Sequence, residues 1–388
     1  MRRVIFTAIA CSVLAWRAAP AVPAEPLIAA GGSQSLAICA NGGLWVWGYR
    51  GRGELGQGAA ILRPVKVLNL RSIAAASVSS QFHFLVLLAD GGVRAWGWNF
   101  FGQLGDGTDA DRAAPVAVSG LRNVVAIAAG GDFSLALSAD GAVWAWGRNQ
   151  WGQLGDGSTV TRLAPVRVRG MRDARSIAAG FTDGFAAAAD GTVWTWGHSY
   201  LAPNNAPRPL PERIPGLDAV IAVASGGEHA LALKSDGSVS AWGLNPDGRL
   251  GDASRENRAL PVRVLNLDSV VAIAAGRYHS LALRRDGSVW AWGGNDDGQL
   301  GDGTRTGARR VTVLPSPSCP HWFLPQAQTA PSLLSASEKS PPAAIATALR
   351  RPLTVTGFAR SMSVLSPSWP KKFQPQARTP PSASSARK

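Results

Sequence analysis

Few residues of this sequence have the types and spacing that catalysis or cofactor binding requires. The segment Gly51-Arg-Gly-Glu-Leu-Gly56 fits the glycine spacing of a dinucleotide-binding loop, but no helical pattern follows it. Asp106, Asp109 and Asp111 form an acidic group, but they lack the glycine and the distal glutamate of a calcium loop. We interpret these glycines as structural and expect the aspartates to lie in a solvated turn.

The usual motifs of nucleotide-binding proteins, zinc proteases and serine hydrolases are missing from the sequence. It contains no Walker loop, no His-Glu-x-x-His pattern and no Gly-x-Ser-x-Gly elbow. We therefore predict a protein that is not an enzyme and that has no cofactor and no metal site.

The chain consists of six tandem units with a period of about fifty residues. Each unit carries a Trp-Gly pair, and successive pairs are separated by 49, 50, 50, 46 and 50 residues. The pairs are Trp47-Gly48, Trp96-Gly97, Trp146-Gly147, Trp196-Gly197, Trp242-Gly243 and Trp292-Gly293. Six residues before each tryptophan lies an Asn-Gly or Asp-Gly dipeptide, as in Asp140-Gly141. Constant offsets within a repeat indicate one supersecondary module copied in tandem.

Each unit contains the signals of four short strands. In the third copy these are Ile127–Gly130, Ser134–Leu137, Val143–Gly147 and Pro165–Val168, with a glycine-rich loop at Gly152–Gly157. Asp-Gly between two alternating runs predicts a hairpin with a type I′ turn, and the small-residue run Ile127–Gly130 suits an inner strand. No copy has a sustained helical pattern. The unit therefore predicts a propeller blade, and the fold class is all-β.

These motifs resemble the repeats of the regulator of chromosome condensation (RCC1-like) family. The last complete copy shows the resemblance in Ile273–Gly276, His279–Leu283, Asp286-Gly287, Val289–Gly293 and Gly298–Gly303. The resemblance spans roughly residues 27 to 314, and five motifs recur in fixed order. It implies a β-propeller, normally of seven blades. Six blades are recognisable here, so a seventh is absent or degraded.

Two departures from the repeat bear on function. The family histidine is present as His83, His229 and His279 but is replaced in the other copies by Gln34, Phe133 and Asp183. Because a residue that varies among copies cannot form a sixfold ligand set, we expect these histidines to bond the local backbone between blades. The fourth copy replaces the Gly-Gln-Leu-Gly loop with the proline-rich segment Leu201–Pro211. This segment is either a functional loop or a degenerate repeat.

The N-terminus has the features of a secretory signal. Arg2-Arg3 is followed by an apolar run from Val4 to Trp16 and by the small residues Val22-Pro-Ala24. We predict a cleaved signal at residues 1–24, a propeller at 25–314 and a disordered, basic Pro/Ser/Ala-rich tail at 315–388. The chain is then secreted, periplasmic or attached to the cell envelope, and no other apolar stretch reaches transmembrane length.

Charge separates the tail from the propeller. The net charge of the chain is +14, and residues 309–388, with eleven basic residues and only Glu338 as an acid, contribute +10 of it. The remaining +4 leaves the propeller without the basic stripe that specific nucleic-acid binding needs. Within the tail, the segment from Val313 recurs at Val364, an offset close to the blade period. One hypothesis is blade-coding sequence translated out of frame, so closure with six or seven blades stays open.

The sequence favours an exported, non-enzymatic, monomeric binding scaffold that presents one propeller face to a protein or a glycan. Candidate contact residues follow the Trp-Gly pairs or belong to the fourth copy: Trp98, Phe100, Phe101, Trp151, Tyr200, Asn204 and Asn205. The aromatic residues among them could instead fill the core or stack on one another. The resemblance implies two alternatives, guanine-nucleotide exchange with chromatin binding as in the family founder, or secreted inhibition of an enzyme.

Overall fold

The computed structural model describes residues 27–30, 34–38, 43–48, 61–67, 70, 72–79, 81, 83–198, 206–306 and 311–313. These residues belong to one of the two units into which the chain divides, Met1–Ser335, and the other unit, Ala336–Lys388, lies outside them. The predicted signal at 1–24 and the predicted tail at 315–388 also lie outside the described residues.

The described residues form 24 strands in six four-stranded sheets, which we number as blades one to six. Blades one and two consist of β1 (Leu27–Ala30), β2 (Gln34–Ile38), β3 (Leu44–Gly48), β4 (Ile61–Val67), β5 (Ile73–Val78), β6 (His83–Leu88), β7 (Val93–Gly97) and β8 (Arg112–Ala117). Blades three and four consist of β9 (Val124–Ala129), β10 (Phe133–Ser138), β11 (Val143–Gly147), β12 (Arg162–Arg167), β13 (Ala174–Ala179), β14 (Asp183–Ala188), β15 (Val193–Gly197) and β16 (Arg208–Arg213). Blades five and six consist of β17 (Val220–Ser225), β18 (His229–Lys234), β19 (Val239–Gly243), β20 (Arg258–Arg263), β21 (Val270–Ala275), β22 (His279–Arg284), β23 (Val289–Gly293) and β24 (Val311–Val313).

The six sheets are arranged in a ring, which confirms the predicted all-β propeller fold. Each sheet is an antiparallel meander in chain order, and the first strands of consecutive blades contact one another. These first strands are the small-residue runs, as in β9, where alanine side chains let the backbones approach closely. None of the described residues belongs to a helix that is long and apolar enough to cross a membrane.

The Asp-Gly hairpins do not have the predicted type I′ geometry. In the blade-three hairpin, Gly141 N donates to Ser138 O at 2.9 Å, and only Gly141 has a positive φ, of 79°. This is a type I turn followed by a left-handed glycine, the geometry of a three-residue hairpin loop. The prediction was wrong because Asp140 accepts a hydrogen bond from Ala142 N at 3.1 Å and stays right-handed. A Cβ on Gly141 would also lie 2.4 Å from Arg172 O.

The hydrophobic core lies between neighbouring blades. The tryptophan of each Trp-Gly pair in blades two to six is buried, and Trp146 packs into a cluster with Leu85 and Leu87 of blade two. Truncating such a residue to alanine typically costs about 3–5 kcal/mol. These tryptophans therefore hold each blade to the preceding one.

A set of hydrogen bonds joins blades two and three. His83 Nε2 lies 2.9 Å from Ser134 Oγ, and Ser134 Oγ donates to Gln103 O at 2.8 Å. Trp146 Nε1 donates to the same carbonyl at 2.8 Å. Because the serine hydroxyl gives its only proton to the carbonyl, His83 Nε2 must be the donor to Ser134. We call these four groups the junction set.

The same junction set joins blades five and six. His229 Nε2 lies 2.8 Å from Ser280 Oγ, and both Ser280 Oγ and Trp292 Nε1 donate to Arg249 O at 2.8 Å. The expectation that the histidines bond the backbone was wrong for His83 and His229, because the partner of each is a serine hydroxyl of the next blade. Burial lowers the pKa of His83 to about 3, so the imidazole is neutral at pH 7.

Two other junctions replace the histidine and serine of the set with apolar contacts, and the junction of blades three and four keeps the bond from Trp196 Nε1 to Gln153 O at 2.9 Å. At blades three and four, the Phe133 ring lies over Gly130, and Gly184 gives room to Trp196, since a Cβ there would lie 2.4 Å from the indole. At blades one and two, Phe84 stacks on Trp96 with ring centroids 4.9 Å apart. At these two junctions, aromatic packing thus takes the place of the histidine–serine hydrogen bond.

The sixth blade does not pack against the first in the manner of the other neighbours. Among the described strands, β21 to β24 make no extensive contact with β1 to β4. His279 Nε2 is buried without a hydrogen-bond partner, and Ser35, at the equivalent of Ser134 and Ser280, is only partly buried. Trp47 is likewise less buried than its five equivalents. The junction set is therefore incomplete at this position.

Candidate functional site

The long loops of the blades share one face of the ring. Because every sheet is an antiparallel meander, the loop between the first and second strands lies on the same face as the loop between the third and fourth. We call this the loop face. The Asp-Gly hairpins and the connections between blades lie on the opposite face, which we call the hairpin face.

A buried asparagine organises the long loop of blade three. Asn149 Oδ1 accepts from Leu154 N at 2.9 Å, and its amide group donates to Ser158 O at 3.0 Å and Val160 O at 3.1 Å. The amide also donates to Asp156 Oδ1 at 3.1 Å. Asn99, Asn245 and Asn295 make equivalent bonds in blades two, five and six. Because these bonds lie within each loop, they fix its conformation and so position the residues at its tip.

The acidic group of blade two is part of this organisation and is not simply a solvated turn. Asp106 accepts from Thr108 N and from Arg112 Nε, and Asp111 Oδ1 accepts from Asn99 N at 2.7 Å. Burial favours a higher pKa for Asp106, but the hydrogen bonds from Thr108 and Arg112 outweigh it and lower the pKa. Asp109 and Asp111 are both exposed, as expected for a solvated turn, whereas Asp106 is only partly exposed.

Three of the candidate contact residues form one aromatic cluster on the loop face. Trp98 stacks on Phe100 at 6.4 Å between ring centroids and meets Phe101 edge-on at 5.7 Å. Phe100 and Phe101 are 4.9 Å apart, and Phe100 is 66% exposed. The Arg148 guanidinium of blade three lies 4.6 Å from the centre of the Phe101 ring. The cluster thus combines mutual stacking with an exposed aromatic surface.

Trp151 lies one blade further along the same face. Its ring is 4.5 Å from the His198 ring of blade four, and its carbonyl accepts from Arg208 N at 3.2 Å. We call Trp98, Phe100, Phe101 and Trp151 the aromatic rim. The remaining candidates, Tyr200, Asn204 and Asn205, lie outside the described residues.

Sequence reasoning missed a second cluster on the loop face, at blades five and six. Arg249 stands where other copies have glutamine, and its buried side chain forms ion pairs with Asp247 and Glu228. The guanidinium groups of Arg249 and Arg277 each lie 5.1 Å from the centre of the Tyr278 ring. Comparison of Arg249 with Gln103, Gln153 and Gln299 of the other copies would have drawn attention to this place.

The described residues contain no group of three or more His, Cys, Asp or Glu side chains with the geometry of a metal site. The chemistry that the loop face offers is therefore aromatic stacking, cation–π contact and hydrogen bonding.

A family model for RCC1-like domains matches residues 83–338 of the chain. The comparison with curated proteins gave no match. Among solved structures, human WBSCR16 is similar with 24% identity over 76% of this chain and 83% of its own, with a TM-score of 0.66. Prp20p of Saccharomyces cerevisiae is similar with 24% identity over 74% and 76%, with a TM-score of 0.63. At these identities the two structures show a shared fold.

Proposed function

The chain belongs to the family of RCC1-like domains, and on that basis we propose that it is an exported, non-catalytic propeller that binds a protein partner through its loop face. Export is supported by the basic, apolar and small-residue pattern of residues 1–24. A protein partner is supported by the family and by the chemistry of the loop face. A glycan would use the same aromatic surface and is the second candidate.

The aromatic rim is the observation that carries this proposal. Aromatic residues and arginine are enriched in the cores of protein interfaces and supply most of the energetically dominant contacts. Here Phe100 is exposed while Trp98 and Phe101 hold it in place, and Arg148 adds a cation beside them. A contact that is ordered before binding loses little conformational entropy on association.

Guanine-nucleotide exchange is the alternative that the comparisons raise. The structure of Prp20p was described together with its binding properties to Gsp1p and histones, which is a statement about that protein. Exchange on a small GTPase requires a partner inside the cell, whereas the N-terminal pattern directs this chain outward. A mature product that starts near Glu25 outside the cytoplasm favours the scaffold, and an uncleaved chain in the cytosol favours exchange.

The test measures capture of a partner by the full chain and by rim variants. The tagged chain is crosslinked in the cells that produce it, the captured protein is identified, and its affinity is measured with purified components. We expect Trp98→Ala combined with Phe100→Ala to weaken binding by tenfold or more, because truncating a central aromatic contact typically costs about 2 kcal/mol. Leu210→Ala removes an exposed apolar side chain from β16 and is the matched control.

Equal affinity of the rim variant and the Leu210→Ala variant would remove the rim as the contact surface. Stimulated nucleotide release from a small GTPase, lost in the rim variant, would replace the scaffold with the exchange factor.

A further inference from the structure

Three departures from the repeat, two in the fourth copy and one in the fifth, meet at the junction between blades four and five. Asp183 stands at the histidine position, and Ala230 stands at the position of Ser134 and Ser280. Thr195 stands where the other copies have the apolar residues Val46, Ala95, Ala145, Ala241 and Ala291. Asp183 is paired with Gly197 and Phe185 with Thr195, so Asp183 and Thr195 lie on the same side of the sheet, facing blade five.

These departures leave a cavity where the other junctions are filled. At blades two and three the histidine and serine occupy this space, and at blades three and four a phenylalanine does. Here the shorter Asp183 and the smaller Ala230 leave a cavity of about 190 Å³. One water needs roughly 10–15 Å³ in this measure, so there is room for a polar side chain. Phe185 and Trp242, in edge-to-face contact at 5.8 Å, form its apolar wall.

Two buried polar atoms in this cavity have no protein partner. Asp183 Oδ1 and Thr195 Oγ1 are both shielded from solvent and neither makes a hydrogen bond. Thr195 is only 6% exposed. Leaving such a group unsatisfied destabilises the fold, and a ligand with hydrogen-bond donors would remove that cost. A carboxylate and a hydroxyl together with an aromatic wall suit a compact cation.

Three arginines line the cavity, Arg208, Arg213 and Arg258. Arg213 is exposed, and the other two have partners of their own. Arg208 Nε donates to Gly197 O at 3.1 Å, and Arg258 is held by Asp252 and Glu256. Burial raises the pKa of Asp183 to about 7, although the charge of Arg208 acts in the opposite direction. Among the residues that the structure describes, the carboxyl group of Asp183 thus forms no ion pair.

We propose that this cavity binds an alkylammonium group, supplied by a lysine side chain of the protein partner. The ammonium group donates to Asp183 Oδ1 and Thr195 Oγ1, and its alkyl chain lies against Phe185 and Trp242. This inference rests on the proposed function in one respect, which is that the lysine belongs to the protein partner. A free small amine offers the same chemistry, and the experiment separates the two sources.

The test titrates the full chain with Nα-acetyl-lysine methylamide, with its neutral norleucine counterpart and with n-butylamine, by calorimetry or by NMR. We expect saturable binding of the lysine probe and none of the norleucine probe. Asp183→Asn, which keeps the shape of the side chain, should weaken binding by tenfold or more. Thr195→Val, which places in the cavity the residue type of Val46, should weaken it about threefold. Asp173→Asn, on an exposed residue at the hairpin face, is the matched control.

Binding should also strengthen as the pH rises from 6 to 8. The ionised form of Asp183 binds the cation, and it becomes populated as the pH passes about 7. Other charged or titratable groups that line the cavity are Arg208, Glu212, Arg213, Glu228, Arg258 and the buried His229. Asp183→Asn should abolish the pH dependence, and a dependence that survives in this variant would overturn the role of Asp183.

Each remaining outcome is decisive. Equal binding of the lysine and norleucine probes, or no saturable binding by either amine, overturns the ammonium site. Binding of n-butylamine without binding of the lysine probe supports the ammonium site and overturns the partner lysine. Capture of the partner that depends on the aromatic rim but not on Asp183 or Thr195 overturns this inference alone and leaves the proposed function intact.

Discussion

A serine hydroxyl between two blades satisfies two other buried groups at once. Ser134 Oγ accepts from His83 and donates to Gln103 O, and Ser280 does the same for His229 and Arg249. Removing it leaves the histidine donor without a partner in a site closed to water, and the carbonyl keeps only its bond from the tryptophan. Ser35 has the same place in the repeat but is partly exposed and makes no such bond within the described residues.

This difference yields a prediction within one chain. Ser134→Ala and Ser280→Ala should each lower the free energy of unfolding by about 1–3 kcal/mol, whereas Ser35→Ala should change it by less than about 0.5 kcal/mol. Urea unfolding followed by tryptophan fluorescence measures all three. If Ser35→Ala costs as much as the other two, the junction set is complete at the first blade as well, and the structural difference has no energetic meaning.

Sequence comparison among the copies located the unusual residues but not their chemistry. Three residues were conspicuous because they replace a histidine: Gln34, Phe133 and Asp183. The sequence does not indicate which residue of the next blade each of them contacts. The partner lies about fifty residues away, in the next blade, and only the ring places the two together. The cavity beside Asp183 could be predicted only if Asp183 and Ala230 were known to lie next to each other, and that requires the geometry of the junction.

At the scale of the elements, the strands were well predicted and the loops were not. Strands are specified by alternation and by Trp-Gly spacing, which act locally, and β11 and β23 even share the sequence Val-Trp-Ala-Trp-Gly. The hairpin turn was assigned wrongly because Asp-Gly is compatible with two turn types, and the side chain of Asp140 selects one by bonding Ala142 N. The long loops depend on Asn149 and its equivalents, which composition alone does not reveal.

The asparagine bonds give a second prediction. Asn149→Ala removes five hydrogen bonds and leaves Leu154 N, Ser158 O and Val160 O without this partner. We expect a loss of about 2–3 kcal/mol in the free energy of unfolding and faster proteolytic cleavage between residues 150 and 161. Urea unfolding and limited proteolysis measure the two effects.

Gln150→Ala is the control for this loop, because its side chain makes an exposed bond to Arg148. We expect Gln150→Ala to be more stable than Asn149→Ala. Equal stability of the two variants would mean that water replaces the hydrogen bonds of Asn149 at no cost. The sequence of the fourth copy agrees with the argument, since Ser199 stands at the asparagine position and the Gly-Gln-Leu-Gly motif is lost with it.

At the scale of the whole molecule, the blades at the two ends of the repeat differ from those between them. An interior blade is held on both sides, as blade three is by the junction set toward blade two and by Phe133 toward blade four. The sixth blade has its junction to the fifth, but Nε2 of its own histidine, His279, has no hydrogen-bond partner. Leu281, Ala291 and Leu300 of this blade belong to a small separate cluster, whereas their equivalents in blade two pack with blade three.

This asymmetry predicts unequal local stability, which amide hydrogen exchange reports. The matched segments are β11 and β23, whose identical sequences have nearly the same intrinsic exchange rates. We expect slower exchange in β11 than in β23, because opening the sixth blade breaks one packed junction whereas opening the third breaks two. Mass spectrometry of the full chain measures both in one sample. Equal protection would mean that the side of the sixth blade facing away from blade five is packed as firmly as the sides of the interior blades. His279→Ala would then lower the free energy of unfolding as much as His83→Ala does.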